Sequence, residues 1–548
     1  SSMSEKLAQL CARLAGLRVI DRGSVLSLGA RAGDPRVVGT ELGAQYALRA
    51  TVRWATGADG VARVQVTPSI VRTRDGTTMW SGEPLDASPS DPLAMQATMA
   101  SRVADALDIA IAAVERERLL TPTSSDARAW EAYERARAIL ERNDDRGGFA
   151  DDEIDAVLPL LDQAVARDPR FDEAIAVRAT IRRVLAYSGR LPRAVAESSM
   201  AQLREVHRRD VGVPIVASAL VRDALADGRL DEARRIAEEA SAARPSSTEL
   251  LALRASVASE SGDTAGVRDA LQRIVTLSPR HPSRLAYAGH GAITDLRDIT
   301  LGVGWLERAA RLAPRDMDVL RTRLRAYTAV GDSLRIEGAW RDFTAAGGVM
   351  AARWLGSLAM GTAPLRRQAL RATAASVGAV TQEDSTRYHG ERSLALLAHG
   401  DSAAARAHAD TAYALHRWAD TVHSPLSNRV FTRGLRPWRL AMAGRTAAAR
   451  ALLDSLERIG AFRDTARLPS SARVAQVCLR GSTLSLLGDV DAALRPLREC
   501  LTRPGGQQLG AFRRDPTVAT MRRDARVQRL LAELEALEAR GVPLAAGR

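Results

Sequence analysis

The chain has 548 residues, more than one hydrophobic core supports, and its 46% hydrophobic and 26% charged residues exclude a disordered chain. The formal net charge of the chain is +13. Residues 1–120 carry +1 and residues 121–349 carry −1, so the excess positive charge lies in residues 350–548. Lys6 is the sole lysine, so phosphate-loop, kinase and Schiff-base lysines are excluded beyond that position. The sequence contains no run of about 18 apolar residues, so it predicts no membrane-spanning helix.

The first 120 residues alternate between helical and strand-like patterns, in the order α-β-α-β-β-β-α. Asp75-Gly76 is a strong hairpin signal between the last two strands. This order predicts a small α+β layer with helices against one sheet. The predicted helices span residues 4–16, 35–42 and 93–118, and the predicted strands span residues 17–20, 45–54, 61–72 and 77–83.

Residues 39–53 read Gly-Thr-Glu-Leu-Gly-Ala-Gln-Tyr-Ala-Leu-Arg-Ala-Thr-Val-Arg, and residues 74–81 read Arg-Asp-Gly-Thr-Thr-Met-Trp-Ser. Both stretches, with Leu93-x-x-Gln96, resemble TolB amino-terminal-like domains, although Ala50 stands at a usual glycine. In bacteria these domains commonly lie between tetratricopeptide repeats and an output domain, such as a cyclase, a kinase or a DNA-binding regulator.

That resemblance also implies an apolar strand before the first helix, and this sequence has none. The sheet is therefore expected to lack its first strand. The chain opens Ser1-Ser2-Met3, and we expect it to be a mature product or a piece of a longer protein.

From residue 126 the pattern is helical, and turn residues recur at fixed steps. A 34-residue step separates Gly228 from Gly262 and Pro245 from Pro279. A 44-residue step separates three Gly-x-x-x-Ala-Ala segments, which begin at Gly400, Gly444 and Gly488. Repetition at such steps indicates a helical solenoid, and 34 residues is the length of a tetratricopeptide unit. Residues 126–540 therefore resemble tetratricopeptide (TPR) proteins.

The predicted fold is mainly α, a helical-hairpin (TPR-like) solenoid preceded by a small α+β domain. The predicted domains are a TolB-like domain at 1–120, TPR-like repeats at 126–345, and a second helical segment at 346–545. The second segment contains the 44-residue units and a capping helix at 527–539. Each hairpin is expected to pack only on its neighbours, in an open spiral.

The 34-residue phase assigns an arginine-rich set to the concave face of the array: Arg222, Arg284, Tyr287, Arg321 and Arg325. The resemblance to TPR proteins implies that ligands bind this face, which the first helix of each hairpin lines. Arginine holds carboxylates in a bidentate way, and tyrosine adds stacking area. The alternative is a solvated arginine-rich surface. The Lys/Asn/Arg carboxylate clamp of chaperone-binding TPR domains is absent.

Cys478 and Cys500 fall on the two helices of the last 44-residue unit, and antiparallel pairing brings them nearly opposite each other. A disulfide is possible there, and two buried thiols are the alternative. A disulfide would indicate an oxidising compartment. Cys11 lies on an apolar helix face and is expected to be a core thiol.

Four histidines, at positions 399, 408, 416 and 423, are close in sequence. No i,i+4 pair and no neighbouring cysteine completes a metal site, so helix packing is the favoured interpretation. Gly302-Val303-Gly304 lacks the third glycine and the preceding strand of a dinucleotide-binding loop. Because Gly-x-Ser-x-Gly, His-Glu-x-x-His and Cys-x-x-Cys are also absent, no catalytic residue, cofactor or metal is predicted.

These features predict a non-catalytic scaffold of a bacterial signalling protein that binds a protein or peptide, with an acidic segment as the first candidate. One alternative is a transcription-regulator module that contacts nucleic acid through the basic last third. No run of five basic residues supports it. Another alternative is an enzyme hidden in the array. The compartment stays open, with the periplasmic side of a membrane-tethered protein favoured over the cytoplasm.

Overall fold

The computed structural model describes residues 17–56, 62–87, 98, 102–103, 105–106, 124, 126–142, 151–187, 190–348, 358–374, 382–416, 426–460 and 470–539. The predicted helices at 4–16 and 93–118 lie wholly or mostly outside these residues. The chain divides into two compact units. The first unit comprises residues 1–222, 232–254 and 272–284, and the second comprises residues 223–231, 255–271 and 285–548.

The described part of the chain is mainly α-helical, and its strands all lie before residue 88, so the predicted fold class is confirmed. The strands are β1 (Tyr46–Thr56), β2 (Ala62–Arg72), β3 (Thr78–Ser81) and β4 (Leu85–Ala87). The helices before the repeats are α1 (Arg22–Leu26) and α2 (Pro35–Leu42). Those of the 34-residue region are α3 (Ala127–Arg142), α4 (Asp151–Arg167), α5 (Asp172–Tyr187), α6 (Arg193–Arg209), α7 (Pro214–Ala226), α8 (Leu230–Ala243), α9 (Thr248–Ser261), α10 (Thr264–Leu277), α11 (Pro282–Thr294), α12 (Ile299–Leu312), α13 (Met317–Val330) and α14 (Ser333–Ala345). The remaining helices are α15 (Ala363–Ala374), α16 (Gln382–His399), α17 (Ser402–His416), α18 (Leu426–Met442), α19 (Thr446–Arg458), α20 (Ser470–Leu486), α21 (Val490–Thr502), α22 (Leu509–Arg514) and α23 (Ala525–Ala539).

The sheet in the first unit is antiparallel, and β2 pairs with β1, β3 and β4. The turn between β2 and β3 follows the Asp-Gly signal, since Gly76 has a φ of +76° and Asp75 accepts a hydrogen bond from the Thr77 amide at 3.0 Å. The predicted strand at 77–83 is shorter than expected. A further short strand, β4, follows it at a position where no strand was predicted.

The predicted strand at 17–20 is wrong. This segment has no regular secondary structure, and its partner is a side chain of the helical region rather than a strand. The Val19 amide donates to Ser246 Oγ at 3.3 Å, and Ser246 Oγ lies 3.0 Å from the Leu17 carbonyl oxygen. A single hydroxyl therefore replaces the strand partner that the apolar run suggested.

The α+β part of the first unit packs on the turns that follow α8 and α10. The Asp21 amide donates to the Leu277 carbonyl at 2.9 Å, and Arg280 Nη1 donates to Glu41 Oε2 at 2.8 Å. The Asp21 carboxylate also accepts from the Gly23 amide at 2.7 Å and begins α1, a helix that the sequence did not predict. This contact ties the segment before the sheet to the repeats of the same unit.

The predicted turns between the paired helices are confirmed by left-handed glycines. A positive φ is strained for residues with a Cβ, and glycine adopts it without that cost. The φ angles lie between +73° and +95° at Gly228, Gly262, Gly331, Gly400, Gly444 and Gly488.

Glycines also allow close crossing of α11 and α12 in the second unit. A Cβ at Gly289 would lie 2.8 Å from the Gly302 carbonyl oxygen, and one at Gly302 would lie 2.6 Å from the Gly289 carbonyl oxygen. Gly302 of the Gly-Val-Gly stretch is therefore a packing residue of a helix.

The second unit contains contacts between helices far apart in sequence, which we call the fold-back contacts. The Ser471 amide donates to Glu260 Oε2 at 2.9 Å, across 211 positions. Gln508 Nε2 donates to the Ile293 carbonyl at 2.9 Å, across 215 positions. The expectation that each hairpin packs only on its neighbours is therefore wrong here. The start of α20 and the loop after α21 cover the ends of α9 and α11.

Candidate interaction surfaces

Two of the five predicted concave-face residues belong to the first unit. Arg222 lies on α7, is exposed, and donates from Nε to the Ser218 carbonyl at 3.2 Å. Arg284 lies on α11 and forms an ion pair with Glu249 of α9. Both residues lie on first helices of hairpins, and the Arg284 pair links two successive first helices.

The other three belong to the second unit. Tyr287 Oη lies 3.4 Å from Ser256 Oγ, which again joins α11 to α9. Arg321 forms an ion pair with Asp318 of its own helix, α13. Arg325 is exposed on the same helix, and its charge lowers the pKa of His290 on α11, after the larger effect of burial. All five residues therefore lie on first helices of hairpins, two in the first unit and three in the second, and their role in binding stays a prediction.

The last 44-residue unit carries a disulfide between Cys478 of α20 and Cys500 of α21. The two Cα atoms are 5.0 Å apart. Cys500 is 1% exposed, whereas Cys478 is half-buried and faces two cavities. Cys11 lies outside the described residues.

The structure pairs one of the four predicted histidines, His408, with a histidine that the sequence analysis did not single out. Nδ1 of His408 lies 2.7 Å from Nδ1 of His389, which was not among the four histidines singled out. Arg392 Nε donates to His408 Nε2 at 3.2 Å. His389 and His408 are on the paired helices α16 and α17, so the pair links the helices of one hairpin. Position 423 lies outside the described residues.

Two cavities in the second unit flank α20 at Ala475 and Cys478. One, of about 320 Å³, lies among the fold-back contacts. The other, of about 270 Å³, is lined by apolar side chains that include Leu394 and Trp438, together with Asp515. No sequence pattern predicted either cavity, because their walls come from segments with no shared repeat phase.

The basic last third has many of its arginines paired. Such pairs reduce the positive potential that would attract nucleic acid, although each exposed pair adds little stability. Within the described residues, the arginines of this region that form ion pairs include Arg445, Arg450, Arg480, Arg498, Arg503, Arg513 and Arg526.

Two features are absent among the residues that the structure describes. No group of three or more His, Cys, Asp or Glu side chains there is arranged to hold a metal ion. No described helix is both long and apolar enough to cross a membrane.

No protein-family model matches the chain, and no curated protein matches it. Among solved structures, the chain is similar to a tetratricopeptide repeat protein from Parabacteroides merdae ATCC 43184, with 11% identity, a TM-score of 0.30, and coverage of 54% of this chain and 96% of that chain. For the APC/C hetero-tetramer Cut9-Hcn1 the identity is 12%, the TM-score 0.31, and the coverage 81% and 83%. For the TPR domain of P58(IPK) the identity is 12%, the TM-score 0.19, and the coverage 77% and 99%. Similarity at these scores says nothing about what this chain binds.

Proposed function

We propose that this chain is a non-catalytic scaffold that binds a protein or peptide through side chains on the first helices of its hairpins. The supporting observation is that Arg222, Arg284, Tyr287, Arg321 and Arg325 all lie on the first helices α7, α11 and α13. Ion pairs on neighbouring or identical helices orient two of these arginines. An acidic segment fits this surface, because carboxylates accept bidentate hydrogen bonds from guanidinium groups.

The signalling context is part of the same proposal. The whole chain, with a TolB-like domain at 1–120 and helical repeats at 126–345 and 346–545, is the sensory or protein-binding part of a bacterial signalling protein, and the TolB-like domain docks on or relays to an output module. Its contact through Arg280 and Glu41 offers a path by which binding to the repeats of the first unit reaches the α+β part.

Peptide display on the immobilised full chain tests this proposal. The selected peptides are then titrated against Arg325→Ala and against Arg341→Ala, which removes the same charge from an exposed position on a second helix, α14. We expect peptides rich in Asp and Glu, and an affinity about tenfold lower for R325A only, or ~1.4 kcal/mol. Selection of no peptide, or equal affinity for both variants, would contradict the proposal.

A further inference from the structure

The cavity of about 320 Å³ in the second unit has an apolar side and a polar side. Val474, Ala475, Cys478 and Pro504 supply an apolar side. The polar side is formed by Ser259, Glu260, Thr294, Asp295, Ser470 and Ser471.

The two carboxylates in this wall differ in their partners. Glu260 Oε2 accepts from the Ser471 amide at the start of α20, which is a capping role. Asp295 Oδ1 accepts from Ser259 Oγ at 2.9 Å, but no basic side chain in the part of the chain that the structure describes forms an ion pair with Asp295. Among the residues that the structure describes, the lining of this cavity contains no Arg, Lys or His, although the whole chain carries a net charge of +13.

The local field favours a positive charge beside Asp295. Burial raises the pKa of this carboxyl, and the charge of Glu260 raises it further, while hydrogen bonds from Ser259 and Thr294 oppose the change. The C-terminal ends of α9 and α11 also lie at the cavity, and helix C-termini carry partial negative charge. Buried carboxylates in proteins are normally paired with a cation.

We propose that this cavity binds an organic cation the size of a basic side chain, an alkylammonium or guanidinium group. The charged end would pair with Asp295, the hydroxyls would accept its remaining N–H groups, and its methylene stem would contact Val474 and Pro504. The volume is at the small end of known ligand sites, which suits a single side chain or a small amine. This site is separate from the five first-helix residues and does not depend on the function proposed above.

Calorimetric titration of the full chain with putrescine, N-acetyl-arginine amide and an Arg-containing tetrapeptide tests the proposal and distinguishes the two sources of the cation. We expect at least one probe to bind, more weakly at high salt, with a dissociation constant at least fivefold higher for Asp295→Asn. Asn keeps the shape and can still accept from Ser259. Stronger binding of the tetrapeptide than of putrescine assigns the site to a partner's side chain, and the reverse order assigns it to a free amine.

Asp454→Asn is the matched control, because it changes the charge equally at an exposed position on α19 of the same unit. We expect it to leave the binding unchanged. No binding of any probe, or equal weakening by both variants, would overturn the proposal.

A second measurement covers the case in which Asp295→Asn does not fold. In Cys500→Ser, the freed Cys478 thiol lines the cavity. Its thiolate attacks the sulfenyl sulfur of an alkyl methanethiosulfonate, forms a new S–S bond and releases methanesulfinate. We expect the rate ratio of the 2-aminoethyl reagent to the 2-sulfonatoethyl reagent to exceed that of free cysteine at least fivefold. A ratio equal to that of free cysteine contradicts a cation-selective cavity.

Discussion

At the scale of single residues, the hydrogen bonds around His408 assign its tautomer. Arg392 Nε can only donate, so His408 Nε2 must accept and its proton must sit on Nδ1. That proton is donated to His389 Nδ1, which leaves the His389 proton on Nε2. Protonating either ring removes an acceptor from this chain of hydrogen bonds. Burial, the His389 ring and the Arg392 charge together lower the pKa of His408 to about 4.

This pair predicts a loss of stability in mild acid. The unfolded chain binds a proton at His408 near pH 6.5, whereas the folded chain binds it only near pH 4. The neutral ring therefore contributes its full stabilisation of the folded state above pH 6.5, and this contribution is lost as the pH falls towards 4. Because both rings are partly exposed, we expect on the order of 1 kcal/mol. Urea unfolding of the wild type and of His408→Gln from pH 7.5 to 4.5 measures it. Parallel curves for the two proteins would contradict the assignment.

The disulfide is also a prediction at residue scale. Joining residues 22 positions apart restricts the unfolded chain, for an expected stabilisation of about 3 kcal/mol. Intact mass before and after reduction and alkylation shows whether the bond forms in the chain after purification without reductant or after oxidative refolding. Cys500→Ser should then lower the free energy of unfolding by a similar amount. An alkylated thiol at both positions without reduction would leave two buried cysteines as the correct interpretation.

At the scale of elements, equivalent positions of the three 44-residue units differ in capping. The Asp401 carboxylate accepts from the Ala404 amide at 3.0 Å, and Asp489 accepts from the Ala492 amide at 3.1 Å. Arg445, which occupies the equivalent position of the middle unit, makes no such bond to its helix, α19. The three units thus share a glycine turn but not the hydrogen bond that follows it.

This difference gives a matched mutation series. Asp401→Ala and Asp489→Ala each remove a cap and should lower the free energy of unfolding by about 1 kcal/mol. Arg445→Ala removes only a surface ion pair with Asp410, so its cost should stay below about 0.5 kcal/mol. Chemical denaturation of the three variants checks the order. A cost for Arg445→Ala equal to that of the aspartates would show that the caps contribute nothing specific.

Elements specified by local chemistry were predictable, and elements specified by distant partners were not. The turns at Gly400, Gly444 and Gly488 follow from glycine's access to a positive φ, which is a property of the residue itself. The segment at 17–20 has the apolar pattern of a strand, yet its partner, Ser246, lies more than 220 positions away in sequence. The His389–His408 pair was missed although the two residues are only 19 positions apart, because their contact depends on how the two helices are rotated about their axes.

At the scale of the whole molecule, the sequence predicts repeats that contact only their neighbours, whereas the second unit contains the fold-back contacts. The cavity proposed for an organic cation depends on them, since its lining combines Glu260 of α9 with Ser471 of α20. Repeat phase carries no information on such contacts. The candidate site in this unit was therefore beyond sequence reasoning, while the five first-helix residues were within it.

Gly510 is where the fold-back contacts leave least space. A Cβ at this position would overlap the carbonyl oxygen of Val330, a backbone atom that cannot rotate away. Gly510→Ala should therefore cost about 1–3 kcal/mol, although alanine is the better helix former. Gly338→Ala is the control, because a Cβ there meets nothing within 4 Å in helix α14, and it should be neutral or stabilising.

Hydrogen exchange distinguishes a local from a global effect of Gly510→Ala. The Gly505 amide donates to the Thr294 carbonyl at 3.0 Å, and it should lose protection together with the Ser471 amide. Amides inside α17, which packs on its sequence neighbours α16 and α18, should keep theirs under native conditions. If all of these amides exchange at the same increased rate, the second unit unfolds as one body. If the Gly505 and Ser471 amides stay protected in the variant, the close approach of Gly510 to Val330 is not what holds α20 and α21 against α9 and α11.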